Sequence, residues 1–169
     1  EEKSLSSELL QIRSFSLYLK SAEKRELPVL EDVSLRLERG SCLGLAGESG
    51  SGKSVLALGI MGLLPRDSIS KTSGSILFDG SEMLGLDEAG LRKLRGKRMA
   101  MVFQEPMTAM NPLMTLYEQV GETVRAHLPR LSEKDVESMV EKALRSGGFP
   151  EPATFYESFP HQLSGGMRQ

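Results

Sequence analysis

One cysteine, Cys42, is the whole thiol content of this chain, so no internal disulfide forms. That fits a reducing compartment. Cys42 sits inside an apolar run, which predicts a buried structural thiol. Nowhere do apolar residues continue for the roughly 18 positions that a membrane-spanning helix requires. The first residues lack the basic-then-apolar pattern of a secretory leader. There is no basic excess either: 21 Lys and Arg stand against 23 Asp and Glu, a net charge of −2. This balance excludes the electrostatic footprint of a nucleic-acid binder, so no nucleic-acid partner is expected. The chain holds no internal repeat and no long low-complexity tract. What is present, 39% hydrophobic and 26% charged residues over 169 positions, suffices for a domain with a real core.

The chemistry is concentrated in Gly47-Glu48-Ser49-Gly50-Ser51-Gly52-Lys53-Ser54, a complete G-x-x-x-x-G-K-[ST] string. Its context is the one the mechanism needs. An apolar, strand-like run at 42–46 leads in, and a helix-like run at 55–64 leads out and stops at Pro65. The glycines let consecutive N–H groups curl toward one concavity. Those donors and the positive end of the following helix attract phosphate oxygens. Lys53 is expected to reach the β/γ-phosphates, and the Ser54 hydroxyl to ligate Mg²⁺. A plain Gly/Ser-rich turn would not require Lys-Ser after its last glycine.

Along the rest of the chain, residues 9–19 alternate Leu10, Ile12, Leu17 and Leu19 with polar neighbours, as a strand does. Residues 21–26 read as a charged loop. Residues 33–38 alternate again and end in a turn at Arg39-Gly40. Residues 65–74 read as a loop, 74–80 as a short strand between glycines, and 99–103 as a buried strand. The basic segment 91–98 has interleaved leucines and predicts an amphipathic helix with a solvated face. Residues 113–128 and 132–145 read as helices. The second opens on a capping-box-like Ser132 and carries Val136, Met139, Val140, Ala143 and Leu144 at helical spacing. Gly147-Gly148 ends it.

Three elements occur in order: the 47–54 loop, Gln104 at the end of an apolar run, and Leu163-Ser164-Gly165-Gly166-Met167-Arg168-Gln169. Together they resemble the Walker A motif, Q-loop and LSGG signature of the ATP-binding subunits of ABC transporters. The segments Gly62-Leu63-Leu64-Pro65, Gln104-Glu105-Pro106-Met107 and Pro160-His161-Gln162 narrow the resemblance to the peptide/nickel (oligopeptide–dipeptide) importer branch. It implies an α/β P-loop NTPase fold with an N-terminal antiparallel β-subdomain and an inserted α-helical subdomain. The expected division is 1–105 for the nucleotide-binding core and 106–169 for the helical part. It further implies ATP and Mg²⁺ as cofactors, with Gln104 sensing metal and water and sharing Mg²⁺ with Ser54. Ser164, Gly165 and Gly166 would contact, in trans, ATP held by a partner subunit. Family subunits stack adenine on an aromatic residue of the first strand. Leu19 occupies the usual position here and Tyr18 lies beside it, so Tyr18 is the stacking candidate, alongside an ordinary strand tyrosine. His161 reads as a packing or capping residue. The implied partners are a second ATP-binding subunit in a head-to-tail dimer, permease subunits docked at the Q-loop groove and, indirectly, a solute-binding protein. The implied location is the cytoplasmic face of the cell membrane.

No unbroken run of four hydrophobic residues closed by Asp-Glu occurs in the sequence. The stretch 76–79 imitates one, but Gly80 replaces the glutamate. The resemblance implies that the Walker B segment and the C-terminal part of the core come later. The chain is therefore expected to be an N-terminal fragment without ATP turnover of its own. The alternative to a transporter subunit is a soluble ABC-type ATPase module of the repair or translation class. The Gln-Glu-Pro-Met extension and the 65–74 insertion favour the transporter.

Overall fold

The computed structural model describes residues 7–21, 23, 25–103 and 109–169. They form two compact units, which divide between Arg92 and Lys93.

The first unit is built on an antiparallel sheet in the order β2-β1-β3-β4. Its strands are β1 (Glu8–Lys20), β2 (Glu26–Glu38), β3 (Ile69–Phe78) and β4 (Ser81–Glu82). β1 is central because it pairs along its length with both long neighbours. Simple alternation would not bury both Ile12 and Phe15, which are three residues apart. A bulge resolves this: the register shifts between them against both partners, and Ser14 sits at φ 45°. Ile12, Phe15 and Leu17 then all enter the core with Leu30, Ile76 and Phe78. Helix α1 (Lys53–Ile60) lies on this apolar face with Gly59 against the Phe15 ring, and its Leu56 is buried. Helix α2 (Glu88–Leu94) contributes Leu91.

The tight β3–β4 hairpin is pinned by Glu82. One carboxylate oxygen accepts from the amides of Ile76, Met83 and Leu84 at 3.0–3.1 Å, and the other from the Ser75 hydroxyl at 2.6 Å. Burial pushes this carboxyl up. The hydrogen bonds from Ser75, Leu84, Ile76 and Met83 together outweigh it and hold the group below its ordinary value.

The second unit is helical. Helix α3 (Leu116–His127) starts at a full capping box. The Thr115 hydroxyl accepts from the Glu118 amide, and the Glu118 carboxylate accepts from the Thr115 amide at 2.7 Å. Helix α4 (Glu133–Ser146) starts at Ser132, whose hydroxyl accepts from the Asp135 amide. Leu116, Val136, Val140, Leu144, Phe149 and Leu163 form the core. Arg125 bridges α3 to Glu133 at 2.7 Å. A four-residue helix, α5 (Gly165–Arg168), closes the chain.

Several sequence expectations are corrected. Residues 42–46 and 99–103 form no strand: among the described residues none of the four strands lies beside them, and a strand exists only by pairing. Leu43, Leu45, Val102 and Phe103 are exposed, and so is Cys42, which was expected to be buried. The 65–74 loop is half strand, since β3 begins at Ile69, and β2 begins at Glu26, well before the alternation is visible. Helix α1 ends at Ile60, and Gly62 at φ 62° turns the chain before Pro65 is reached. The basic helix stops at Leu94, and a bridge from Arg95 to Met99 closes a turn through Gly96. On α4 the buried stripe is Val136, Val140 and Leu144, while Met139 and Ala143 face solvent.

Candidate functional site

The candidate site is the 47–54 loop and the start of α1. The loop is irregular and exposed until Gly52, which is buried at φ 87° and is the N-cap of α1. Glycine is needed there on two counts. The left-handed backbone strains other residues, and a Cβ would strike Leu30. Because the cap is glycine, no side chain caps α1, and its first turn holds no acidic residue. The orphan amides of that turn and the positive helix end are thus left for an external anion.

Lys53 folds back over the loop. Its ammonium donates to the carbonyl oxygens of Gly47 at 2.8 Å and Glu48 at 2.6 Å, and to the Ser51 hydroxyl at 3.0 Å. An ammonium has three donors, and all three point into the loop. Ser54, one residue on, is exposed, and its hydroxyl makes no hydrogen bond among the described residues. The cation, the uncapped amides and a hydroxyl oxygen together suit a polyphosphate with its divalent metal ion. The ammonium and amides are groups that could meet phosphate oxygens, and a hydroxyl can serve as a hard oxygen ligand.

The other sequence-predicted residues are placed as follows. Tyr18 lies half-buried on β1 between Pro28 of β2 and Lys71 of β3. Among the described residues no hydrogen bond or ring contact ties it to the loop. Gln104, with Glu105, Pro106 and Met107, falls outside the described residues. In the second unit Leu163 is buried in the helical core and anchors the signature. Ser164 caps α5 by accepting from the Met167 amide at 3.3 Å, and Gly165 and Gly166 are exposed beside it. Arg168 donates from Nε to the Leu163 carbonyl at 3.0 Å. His161 stacks on Phe159 at 5.7 Å with the rings 12° apart. Sequence reasoning missed the floor of the loop, the contact of Val29 and Leu30 with Gly52. Only the apolar Pro28-Val29-Leu30 triplet could have hinted at it.

Comparison with known proteins gives the class. The family described as ABC transporter matches residues 30–169, and this chain belongs to it. Among its relatives is the peptidoglycan transport ATP-binding protein YejF of Agrobacterium fabrum. It is 42% identical over 161 residues, which are 95% of this chain and 29% of that protein. The dipeptide transport ATP-binding protein DppD of Bacillus subtilis is 39% identical over 168 residues, covering 99% of this chain and 48% of the relative. The oligopeptide transport ATP-binding protein OppD of Lactococcus lactis subsp. cremoris is 39% identical over 164 residues, 97% of this chain and 48% of its own length. The chain spans about half or less of the length of these curated relatives.

Proposed function

We propose that this chain is the nucleotide-binding portion of an ATP-hydrolysing subunit that energises an ABC importer for peptides, related small solutes or nickel. The observation that carries the reading is the geometry of Lys53 above an uncapped helix start. A cation and a row of amide donors share one loop, and no acidic side chain lies in the first turn of the helix. In this reading the backbone of Gly47, Glu48, Ser49, Gly50, Ser51 and Gly52 wraps the phosphates, and Lys53 neutralises them. Ser54 and Gln104 would hold Mg²⁺, which would supply positive charge against the phosphates. Ser164, Gly165 and Gly166 serve the nucleotide of a second ATP-binding subunit in a head-to-tail dimer, and Tyr18 stacks the adenine. Residues 1–105 act as the nucleotide-binding core and 106–169 as the helical part that meets the permease near Gln104. A solute-binding protein delivers substrate on the far side.

The relatives' names, all transport ATP-binding proteins, support the transport role, and in this reading the subunit works at the cytoplasmic membrane face. Among the described residues no helix is long and apolar enough to cross a membrane, in keeping with a peripheral subunit. Hydrolysis is proposed for the whole protein, with the acidic Walker B pair supplied outside residues 1–169.

The test is an ATP titration of Lys53→Ala in the full-length protein. Loss of one charge-assisted bond of roughly 1.5–3 kcal/mol predicts affinity lower by about 10- to 150-fold. An unchanged dissociation constant refutes the assignment.

A further inference from the structure

The phosphate-binding loop ends on a glycine pressed against the sheet. A Cβ built on Gly52 would lie 2.7 Å from Cδ2 of Leu30 and 3.2 Å from the carbonyl oxygen of Val29. Leu30 is 6% exposed and pairs across the sheet with Leu17, which is 1% exposed. Further along α1, a Cβ on Gly59 would meet the Phe15 ring at 3.7 Å. Leu56, buried between the two glycines, has its amide bonded to the Gly52 carbonyl at 2.8 Å. Positions 52, 56 and 59 follow the spacing of one helix face. That face meets the sheet at its N-terminal end through Leu30 and further along through Phe15. The backbone of Gly52 is thus walled by the Leu30 side chain at the point where loop becomes helix. The next two amides belong to Lys53 and Ser54.

We propose that Leu30 is a positioning residue for anion binding by the 47–54 loop. Its side-chain shape fixes Gly52, and through Gly52 the direction of the Lys53 and Ser54 amides and the root of the Lys53 side chain. The inference rests on the reading of this loop as a phosphate site. Leu30 itself touches no ligand. Its effect therefore falls on the triphosphate portion, whatever base is attached. Inorganic tripolyphosphate, which has no base, is the discriminating probe.

The experiment uses the full-length protein and titrates Mg-ATP and tripolyphosphate into wild type, Leu30→Ala, Leu30→Met and a control, Ile12→Ala. Ile12 is 2% exposed on the same sheet and is not among the atoms nearest Gly52. Displacement of a positioned group by about 1 Å costs up to roughly 100-fold, so Leu30→Ala is expected to weaken both probes by about tenfold or more. Leu30→Met nearly conserves volume and is expected to stay within about threefold of wild type. Ile12→Ala is expected to lower the melting temperature at least as much as Leu30→Ala, with both affinities held. Two results overturn the inference: Leu30→Ala binding tripolyphosphate as wild type does, or Ile12→Ala weakening it equally. If Leu30→Ala does not fold, Leu30→Val is read by the same criteria. Lys53→Ala keeps the two claims apart. If it leaves tripolyphosphate binding unchanged, the loop is not the anion site. If it weakens binding while Leu30→Ala does not, only the role of Leu30 falls.

Discussion

Replacing Glu82 tests whether one carboxylate holds the β3–β4 hairpin by its charge. The wild-type group accepts three amides and one hydroxyl. Glu82→Gln keeps an oxygen in reach of the amides of Ile76, Met83 and Leu84 and can turn its NH₂ toward Ser75. It therefore removes charge and little geometry. The difference between charged and neutral hydrogen bonds, reduced for an exposed site, is about 1 kcal/mol. Glu82→Ala also removes the acceptor. The Met83 amide retains its 2.8 Å bond to the Ile76 carbonyl, but the Leu84 and Ile76 amides lose theirs to Glu82. The expected cost rises to roughly 2 kcal/mol. Urea unfolding of wild type and both variants across pH is the assay, with amide exchange at residues 76, 83 and 84 as the local readout. A carboxyl depressed in the fold stabilises above its ordinary pKa of 4.5, and that stability is lost as pH falls through the lower folded value. Glu82→Gln cannot titrate. Its deficit should thus be present at neutral pH and close in acid. A deficit that stays constant down through the acid range, or no deficit at pH 7, refutes the reasoning.

Two further predictions concern the helical unit. Val140→Ala, at a fully buried position, removes two methylene equivalents at about 0.8 kcal/mol each and leaves a cavity, for a loss of roughly 1.5–3 kcal/mol in denaturant unfolding. Thr115→Ala should cost about 1 kcal/mol and speed amide exchange in the first turn of α3, because the Glu118 amide loses its cap.

What the sequence disclosed and what it hid follow one physical division. The helices of the second unit were legible because their signals are local. Ser132 and Gly147 bracket α4 almost to the residue. The capping box that forms is at Thr115 and Glu118, at the same spacing as Ser132 and Asp135. Long-range pairing was less legible. Residues 42–46 have the composition of a buried strand, but composition does not supply a neighbour, and among the described residues no strand pairs with the segment. The β1 bulge hid Phe15, since strict alternation assigns it to the outer face. On α4, helical spacing admitted Met139 to the core, yet only packing selects which half of an apolar stripe is covered. In the candidate site, the glycines and Lys53 mark the 47–54 loop, and α1 does start at Lys53 with Gly52 as its N-cap. Its support by Leu30 joins residues 22 apart in sequence and is visible only in three dimensions.

If the loop binds phosphate as proposed, the self-bonded Lys53 changes what kind of event that binding is. An ammonium held by two carbonyls and a hydroxyl is a coordinated ion, and an arriving phosphate oxygen must replace one of those ligands. Binding is then a substitution reaction, with one bond broken for one made. The phosphate wins because a bond between two charged groups is the stronger. The same three ligands hold the loop around its cation between arrivals, so the loop need not be reordered from a slack coil each time.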